Sequence, residues 1–221
     1  MTLGAIPADF DDSIKVLTHE MATPLMALHA ALLLLSDDQT DSDALSSAIS
    51  AANHLSQVVS RSRSLLYGAA AQGPESSIGS LFDEIVSMLA PVISRAGVNL
   101  VVNIKDDAQN LLVQTWVIRQ VIVNLISNAL KYAPGSDVVL SAESTPNGVE
   151  ISVTDYGHGI PNEFITSVFE PGFRLPQHSD LPGDGLGLAV NVQLLNSVSG
   201  TLRLLTGDSG STFTISIPLI K

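Results

Sequence analysis

Two apolar stripes near the start of the chain constrain its fold most strongly. The first has the 3-4-3-4 spacing of a helix that packs against other helices: Ile14, Leu17, Met21, Pro24, Leu28, Ala31 and Leu35. The second has the same spacing, with one serine in it, and ends at Gly68: Leu45, Ala48, Ala52, Leu55, Val59, Ser62 and Leu66. Because a polar turn over 36–41 separates the stripes, the sequence predicts a helical hairpin over residues 1–70.

A single hairpin cannot cover both of its own apolar stripes. Two hairpins that pair into a four-helix bundle can cover them, so we expect a homodimer through this segment. The alternative is that the stripes pack against the rest of the chain.

The composition excludes several classes of function. The formal net charge is −12, from 22 acidic and 10 basic residues, and this disfavours binding to nucleic acid or to an anionic membrane. The absence of cysteine excludes disulfides, thiolate catalysis and zinc–cysteine sites. The longest apolar run, residues 21–35, is too short for a bilayer span, and no secretory signal pattern opens the chain. We therefore expect a cytoplasmic protein, or the cytoplasmic part of a membrane receptor.

After a linker predicted over 71–77, the pattern changes to that of a mixed domain over 78–221. Because its strands and helices alternate irregularly, we expect an α+β sandwich with helices on one face of a mixed sheet. The predicted elements are a helix near 80–94, strands near 98–104 and 111–113, a helix over 116–132, strands over 137–144 and 148–155, a helix near 186–199, and strands over 201–206 and 211–218.

The helix predicted over 116–132 is strongly apolar but carries one continuous polar stripe. Its members recur at i, i+4, i+8 and i+11: Gln120, Asn124, Asn128 and Lys131. Amides are costly to bury without partners, so this face must meet water, protein or a ligand. The asparagine carbonyl is a hard oxygen ligand suited to Mg²⁺, which commonly bridges protein oxygens to phosphates.

Two glycine-bearing motifs indicate a nucleotide. Residues 155–160, Asp-Tyr-Gly-His-Gly-Ile, follow a strand, and their carboxylate can accept a hydrogen bond from an exocyclic amine such as adenine N6. Residues 183–188, Gly-Asp-Gly-Leu-Gly-Leu, open a helix, where free amides and the helix dipole suit phosphate. Neither motif is a Rossmann fingerprint or a P-loop. The long proline-rich segment between them predicts a nucleotide lid.

The first apolar stripe displays a histidine away from its seam. With Ile14 at heptad position a, His19 falls at f and Glu20 at g, and Thr23 lies about 40° round the helix from His19. A histidine on a helix surface is commonly only solvated. A nucleotide bound elsewhere in the chain would supply the phosphoryl donor that gives such a histidine a function.

In this order, these segments closely resemble a sensor histidine kinase of two-component signalling. Residues 19–25 resemble the H box, 124–132 the N box, 155–160 the G1 box, 169–174 the F box and 183–188 the G2 box. The resemblance implies a HisKA-type dimerisation and phosphotransfer hairpin, followed by a GHKL (Bergerat-type) ATP-binding domain. It implies ATP and Mg²⁺ as cofactors and the receiver domain of a response regulator as partner.

The resemblance also implies a role for each matching residue. His19 would accept the γ-phosphoryl group of ATP, Glu20 would be the adjacent base, and Thr23 would orient a water that dephosphorylates the regulator. Asn128 would bind Mg²⁺ with support from Asn124. The full set of implied nucleotide-binding residues is Asn124, Asn128, Lys131, Tyr132, Asp155, Gly157, Gly159, Ile160, Phe169, Arg174, Gly183, Gly185, Leu186, Gly187 and Leu188.

Two positions depart from the family pattern. Ala22 stands where the family usually has Arg or Lys, which removes a positive charge near His19 and is expected to alter the balance of kinase and phosphatase activity. Gly172 stands where a bulkier residue is common in the F box, which is expected to loosen the lid.

Two other functions stay open. A GHKL ATPase of the gyrase, mismatch-repair or chaperone type uses a glutamate near the N box to activate water, but residues 116–132 contain no acid and offer Gln120 and Asn124 instead. A phosphotransfer dimer with a degenerate nucleotide domain is the other alternative, and the presence of Asn128, Asp155 and the G2 glycines weakens it.

Overall fold

The computed structural model describes residues 75–178, 181 and 185–218, together with Met26 and Leu55, which are both helical. The chain divides into two compact units, Met1–Ala71 and Gln72–Lys221. Apart from Met26 and Leu55, the hairpin predicted over 1–70 lies outside the described residues, as do its predicted catalytic residues His19, Glu20 and Thr23. Gly183 of the G2 box also lies outside them. The dimeric four-helix bundle stays a prediction.

The second unit contains three helices and seven strands in its described part. Three short 3₁₀ turns, Asn162–Phe164, Ser167–Phe169 and Pro176–His178, follow its fifth strand. The elements are β1 (Glu75–Ser77), α1 (Ile78–Ala96), β2 (Leu100–Ile104), β3 (Leu112–Gln114), α2 (Thr115–Tyr132), β4 (Val138–Thr145), β5 (Gly148–Asp155), α3 (Gly187–Asn196), β6 (Thr201–Gly207) and β7 (Gly210–Pro218).

The main sheet has five strands in the order β2-β4-β5-β7-β6. Strand β2 runs parallel to β4, and the other neighbours are antiparallel, so the sheet is mixed as predicted. A separate antiparallel pair joins β1 to β3. The register of the main sheet brings Asp155, at the end of β5, opposite Ser211 at the start of β7.

The two faces of the sheet differ because its central strands alternate apolar and hydroxyl side chains. The buried face of β4, β5 and β7 carries Val138, Leu140, Ala142, Val149, Ile151, Val153, Phe213, Ile215 and Ile217. On the opposite face, hydroxyls pair across β5 and β7, Ser152 with Thr214 and Thr154 with Thr212, each at 3.0 Å. The helices therefore cover one face of the sheet, and the α+β sandwich predicted from the sequence is confirmed for this domain.

Helix α1 begins and ends at recognisable caps. The Ser77 side chain accepts a hydrogen bond from the backbone N–H of Ser80 at 3.2 Å, and Gly97 ends the helix in the left-handed conformation with φ of 64°. The helix buries residues spaced by three or four positions against the sheet: Ile78, Leu81, Phe82, Ile85, Leu89 and Ile93.

Helix α2 is buried on most of its circumference. Val123 and Leu130 are only half-buried. The fully buried apolar residues are Val117, Ile118, Val121, Ile122, Leu125, Ile126 and Ala129.

The structure differs from the sequence-based prediction at the segment assigned to the linker. Residues Glu75–Ser77 form strand β1, in which Ser76 lies opposite Val113 of β3. A three-residue strand rich in serine has neither the length nor the β-propensity that a sequence pattern requires. The second unit thus begins before residue 78.

Candidate functional site

The polar stripe of α2 contacts protein at one point and is free at another. All four of its residues are half-buried, so the stripe is not a simple solvent-exposed edge. The Asn124 amide Nδ2 donates to Oδ1 of Asn191 on α3 at 3.0 Å. The Asn128 side chain makes no hydrogen bond to the residues that the structure describes. Because a half-buried amide is costly without partners, the Asn128 carboxamide is suited to bind a ligand.

The first turn of α3 packs directly against Asn124. A Cβ atom at Gly187 would lie 2.9 Å from Nδ2 and 3.0 Å from Oδ1 of Asn124, closer than side chains normally approach. Glycine at this position therefore lets the G2 helix meet the N box. Leu186 caps α3, and Leu188 is half-buried against the hydrophobic core.

Two cationic residues predicted to meet phosphate have protein contacts as well. Lys131 Nζ donates to the Tyr132 hydroxyl at 2.8 Å and lies 4.5 Å from the centre of the same ring. The Arg174 guanidinium donates to the backbone carbonyl of Leu181. The first contact holds the Lys131 charge beside α2, and the second joins the F box to the segment that precedes the G2 box.

Asp155 lies at the end of β5, where β5, β7 and the following turn meet. Its Oδ1 accepts a hydrogen bond from the Gly157 backbone N–H at 3.0 Å. Burial raises the pKa of the Asp155 carboxyl, and the backbone N–H groups of Gly157 and Ser211 partly oppose that rise. The carboxylate is thus oriented by the Gly157 N–H and keeps acceptor capacity for a ligand.

Close backbone packing places the G1 turn against the end of α2. A Cβ atom at Gly157 would lie 2.7 Å from the Cβ of Ala133, the residue that follows α2. Gly159 has a φ of 69° and packs against the Gly207 carbonyl. At these two positions a side chain would push the G1 turn away from its neighbours.

Thr206, which the sequence reading did not select, holds the other end of the G1 turn. Its Oγ1 accepts a hydrogen bond from the Ile160 backbone N–H at 2.7 Å and lies 3.0 Å from Oγ of the buried Ser211. Ile160 itself packs against the hydrophobic core. The hydroxyls of Thr206 and Ser211 meet only because β6 pairs with β7. A periodic sequence pattern therefore could not predict this contact.

The F box packs against the start of the G2 helix. The Gly172 N–H donates to the Gly185 carbonyl at 3.1 Å, and both glycines have left-handed backbones, with φ of 81° and 70°. A Cβ atom at Gly185 would lie 2.5 Å from the Phe173 carbonyl oxygen. Gly172, the departure from the family pattern, is therefore the residue type that this turn favours.

Aromatic residues between the G1 and G2 boxes pack against each other and against the hydrophobic core. The Phe164 and Phe173 rings lie 5.6 Å apart at 42°. Phe169 ends the second 3₁₀ turn and packs against the hydrophobic core. Residues 161–178 are thus anchored at several points.

Comparison with known proteins agrees with this geometry. Residues 115–221 match the model of the family described as histidine kinase-, DNA gyrase B-, and HSP90-like ATPase. The sensor-like histidine kinase SenX3 of Mycolicibacterium smegmatis is 31% identical over 94% of this chain and 57% of its own length. The chain is thus related to the sensor histidine kinases of two-component systems and carries their GHKL-type ATPase domain. It spans about half the length of the curated relatives it matches.

Solved histidine kinases share the fold at low sequence identity. Full-length ShkA in complex with AMPPNP superposes with a TM-score of 0.69 at 22% identity, over 96% of this chain and 46% of ShkA. Histidine kinase ThkA in complex with the response regulator TrrA gives a TM-score of 0.58 at 19% identity, over 95% of this chain and 61% of that one.

The donor set of this domain favours Mg²⁺ held together with a nucleotide. Within 75–178 and 185–218, no group of His, Asp and Glu residues is arranged to hold a metal ion by itself. Amide oxygens on α2 are present instead, and Mg²⁺ is usually bound by one or two protein oxygens together with phosphates and water. The unpartnered Asn128 amide fits such a shared site.

Among the helices of the described part, none is long and apolar enough to cross a membrane.

Proposed function

We propose that this chain is an ATP-dependent protein histidine kinase that phosphorylates its own His19 and passes the phosphoryl group to an aspartate of a response regulator. The observation that carries the proposal is the meeting of four boxes around α2. Asn124 contacts Gly187, Ala133 contacts Gly157, and Gly172 pairs with Gly185. Segments far apart in sequence therefore contact α2 or one another, and the polar face of α2 carries Asn128, whose amide has no hydrogen-bond partner among the described residues.

In this proposal the second unit binds and orients ATP. Asp155 accepts a hydrogen bond from the adenine amino group, while Gly157 and Gly159 let the base approach the backbone. Tyr132, Ile160 and Phe169 line the nucleotide. The phosphates lie against the G2 segment formed by Gly183, Gly185, Leu186, Gly187 and Leu188, where backbone N–H groups favour anions. Lys131 and Arg174 lower the cost of bringing the phosphate charges together.

Asn128 binds Mg²⁺ with support from Asn124, and the ion, when bound, neutralises charge on the phosphates. A ring nitrogen of His19 attacks the γ-phosphorus, so that an N–P bond forms as the P–O bond to ADP breaks. Glu20 accepts the proton from the other ring nitrogen. Positioning and charge neutralisation supply most of the rate in such transfers.

The same proposal includes the partners of the chain. We infer a cytoplasmic homodimer that pairs through the 1–70 hairpin, with the regulator docking near His19. The solved complex of ThkA with TrrA supports a response regulator as the partner class. Thr23 would then orient a water for dephosphorylation of the regulator.

The rival function is ATP hydrolysis by a gyrase- or chaperone-like ATPase, because the matched family model includes those enzymes. Their water-activating acid has no counterpart on α2, where Gln120 and Asn124 occupy the polar face and residues 115–132 contain no Asp or Glu. The relatives named histidine kinases also favour the kinase.

The deciding experiment incubates the full chain with γ-labelled ATP and Mg²⁺. We expect the wild type to acquire an acid-labile, base-stable label, which is the behaviour of a phosphoramidate. His19→Gln should acquire none because the acceptor is gone. Asn128→Ala should acquire none because the metal–nucleotide site is incomplete.

The matched control is His29→Gln, which removes a second histidine of the same segment and should label as the wild type does. Label that persists in His19→Gln would contradict the proposal. Release of inorganic phosphate by a wild type that never becomes labelled would favour the rival ATPase.

A further inference from the structure

Asn191 is a polar residue at a buried helix position whose buried neighbours on α3 are apolar. It lies on the side of α3 that also buries Ala189, Leu194 and Leu195, and only 1% of its surface is exposed. Burying a carboxamide costs stability unless each polar atom finds a partner. An aliphatic side chain of similar volume would fill this position at lower cost, so the stability of the core does not explain the amide.

The hydrogen bonds of Asn191 are only half complete. Its Oδ1 accepts from Nδ2 of Asn124 at 3.0 Å. Its own Nδ2 is buried and has no hydrogen-bond partner among the described residues. The contact with Asn124 is therefore the one interaction that distinguishes Asn191 from an apolar residue.

This contact fixes the orientation of Asn124. Because Nδ2 of Asn124 points to Asn191, its Oδ1 is left as the free acceptor, and that atom makes no hydrogen bond with the described residues. Gly187 closes the other side of the amide, since a Cβ there would approach Nδ2 and Oδ1 to 2.9 and 3.0 Å. Asn124 lies one helical turn before Asn128 on the same face of α2.

We propose that Asn191 is a positioning residue for the metal–nucleotide site. By holding Nδ2 of Asn124, it presents the Asn124 carbonyl oxygen on the face that carries Asn128. It also ties α3, which begins at the last G2 glycine, Gly187, to that face. Asn191 thereby couples the binding of a divalent cation with ATP to the packing of α3 on α2. The proposal rests on the function proposed above and adds a residue to it.

The test compares ATP binding with and without the cation, on the full chain, by titration calorimetry. Asn191→Leu keeps the number and branching of the side-chain heavy atoms and removes the acceptor, and Asn191→Ala removes it without adding bulk. Removing a group that orients a metal ligand typically weakens metal affinity about 10–100-fold. We expect both variants to bind ATP in Mg²⁺ at least about tenfold more weakly, and to bind ATP in EDTA nearly as the wild type does.

A purely structural role would give a different pattern, so the thermal midpoint and a double-mutant cycle are measured as well. We expect Asn191→Leu to melt no lower than the wild type, because it buries an apolar group where an amide was incompletely paired. In an Asn124→Ala background, Asn191→Leu should cause no further loss of affinity, because the residue acts through Asn124.

The control is Gln193→Leu, which removes an exposed carboxamide from the same helix and should leave both affinities unchanged. Two results would overturn this inference without affecting the proposed function. One is that ATP binding by both Asn191 variants depends on Mg²⁺ as it does in the wild type. The other is that the affinity loss caused by Asn191→Leu adds fully to the loss caused by Asn124→Ala. A wild type that bound no ATP in either buffer would overturn the proposed function, and the inference with it.

Discussion

The two ends of the polar region around α2 are built differently. At the G1 end, Asp155 accepts from the Gly157 backbone N–H, and Thr206 bonds Ile160 and approaches Ser211. At the N-box end, Asn128 and the Nδ2 atom of Asn191 have no hydrogen-bond partner among the described residues. The first end is held by protein hydrogen bonds, whereas the Asn128 amide at the second gains coordination when a ligand binds.

This difference has a physical meaning. A rigid corner held by protein hydrogen bonds selects by shape and by one fixed acceptor, and it loses little entropy on binding. An end with unpaired amides recovers its desolvation cost only in the complex, so its contribution to binding depends on the ion and the phosphates. We therefore expect changes at the G1 end to act equally with and without Mg²⁺, and changes at the N-box end to act mainly in its presence.

The largest effect is expected for Asp155→Asn. The variant keeps an oxygen for the Gly157 N–H but replaces the charged acceptor offered to the base. A hydrogen bond to a charged group contributes about 1.5–3 kcal/mol, so ATP affinity should fall about 10–100-fold. Calorimetric titration in Mg²⁺ and in EDTA should give the same ratio. A loss confined to the Mg²⁺ buffer would break the proposed contrast between the two ends.

The next effect is expected for Thr206→Val, which keeps the shape of the side chain and removes its hydroxyl. The Ile160 N–H then loses its acceptor at a half-buried position, and the free energy of unfolding should fall by about 1–3 kcal/mol. Urea denaturation measures this change.

The matched control for Thr206→Val is Thr212→Val, because Thr212 bonds another hydroxyl on the opposite face of the sheet. It should lower the stability less, since removing its hydroxyl leaves no backbone group unpaired. Equal losses in the two variants would show that Thr206 has no special part in holding the G1 turn.

The smallest expected effect is a change with pH in the stability difference between Asp155→Asn and the wild type. Burial raises the pKa of Asp155 in the folded chain above its ordinary value of 3.8, so the folded state binds the proton more tightly than the unfolded state. Wild-type stability therefore falls as the pH rises from near that value through the folded pKa. The thermal midpoint of Asp155→Asn relative to wild type should increase over the same interval and then level off. A difference that shrinks as the pH rises would contradict this sign.

Patterns with a regular period were predicted well from the sequence. The bounds of β5 coincide with the prediction because its apolar and polar residues alternate regularly and the glycine of an Asn-Gly turn is its first residue. Helix α2 differs by one residue at its start. The polar stripe predicted a special face, and the structure adds that Asn124 faces Asn191.

Features that depend on tertiary pairing were missed. Asn191 is one amide in an apolar helix, and nothing in its spacing marks it as buried beside Asn124. Thr206 and Ser211 meet only because β6 pairs with β7. Strand β1 forms because it pairs with the edge of β3. A three-residue segment carries too little sequence pattern to predict such a pairing.

The register of the sheet has a consequence for the order of folding. Strands β4 and β5 form one hairpin around residues 146–147, and β6 and β7 form another around 208–209. Local hairpins close quickly, whereas pairing between distant strands is slow. Asp155 and Ser211 belong to different hairpins and meet only where β5 pairs with β7. This corner therefore exists only after the two hairpins have docked, so a nucleotide that binds there would stabilise the fully assembled sheet and neither hairpin alone.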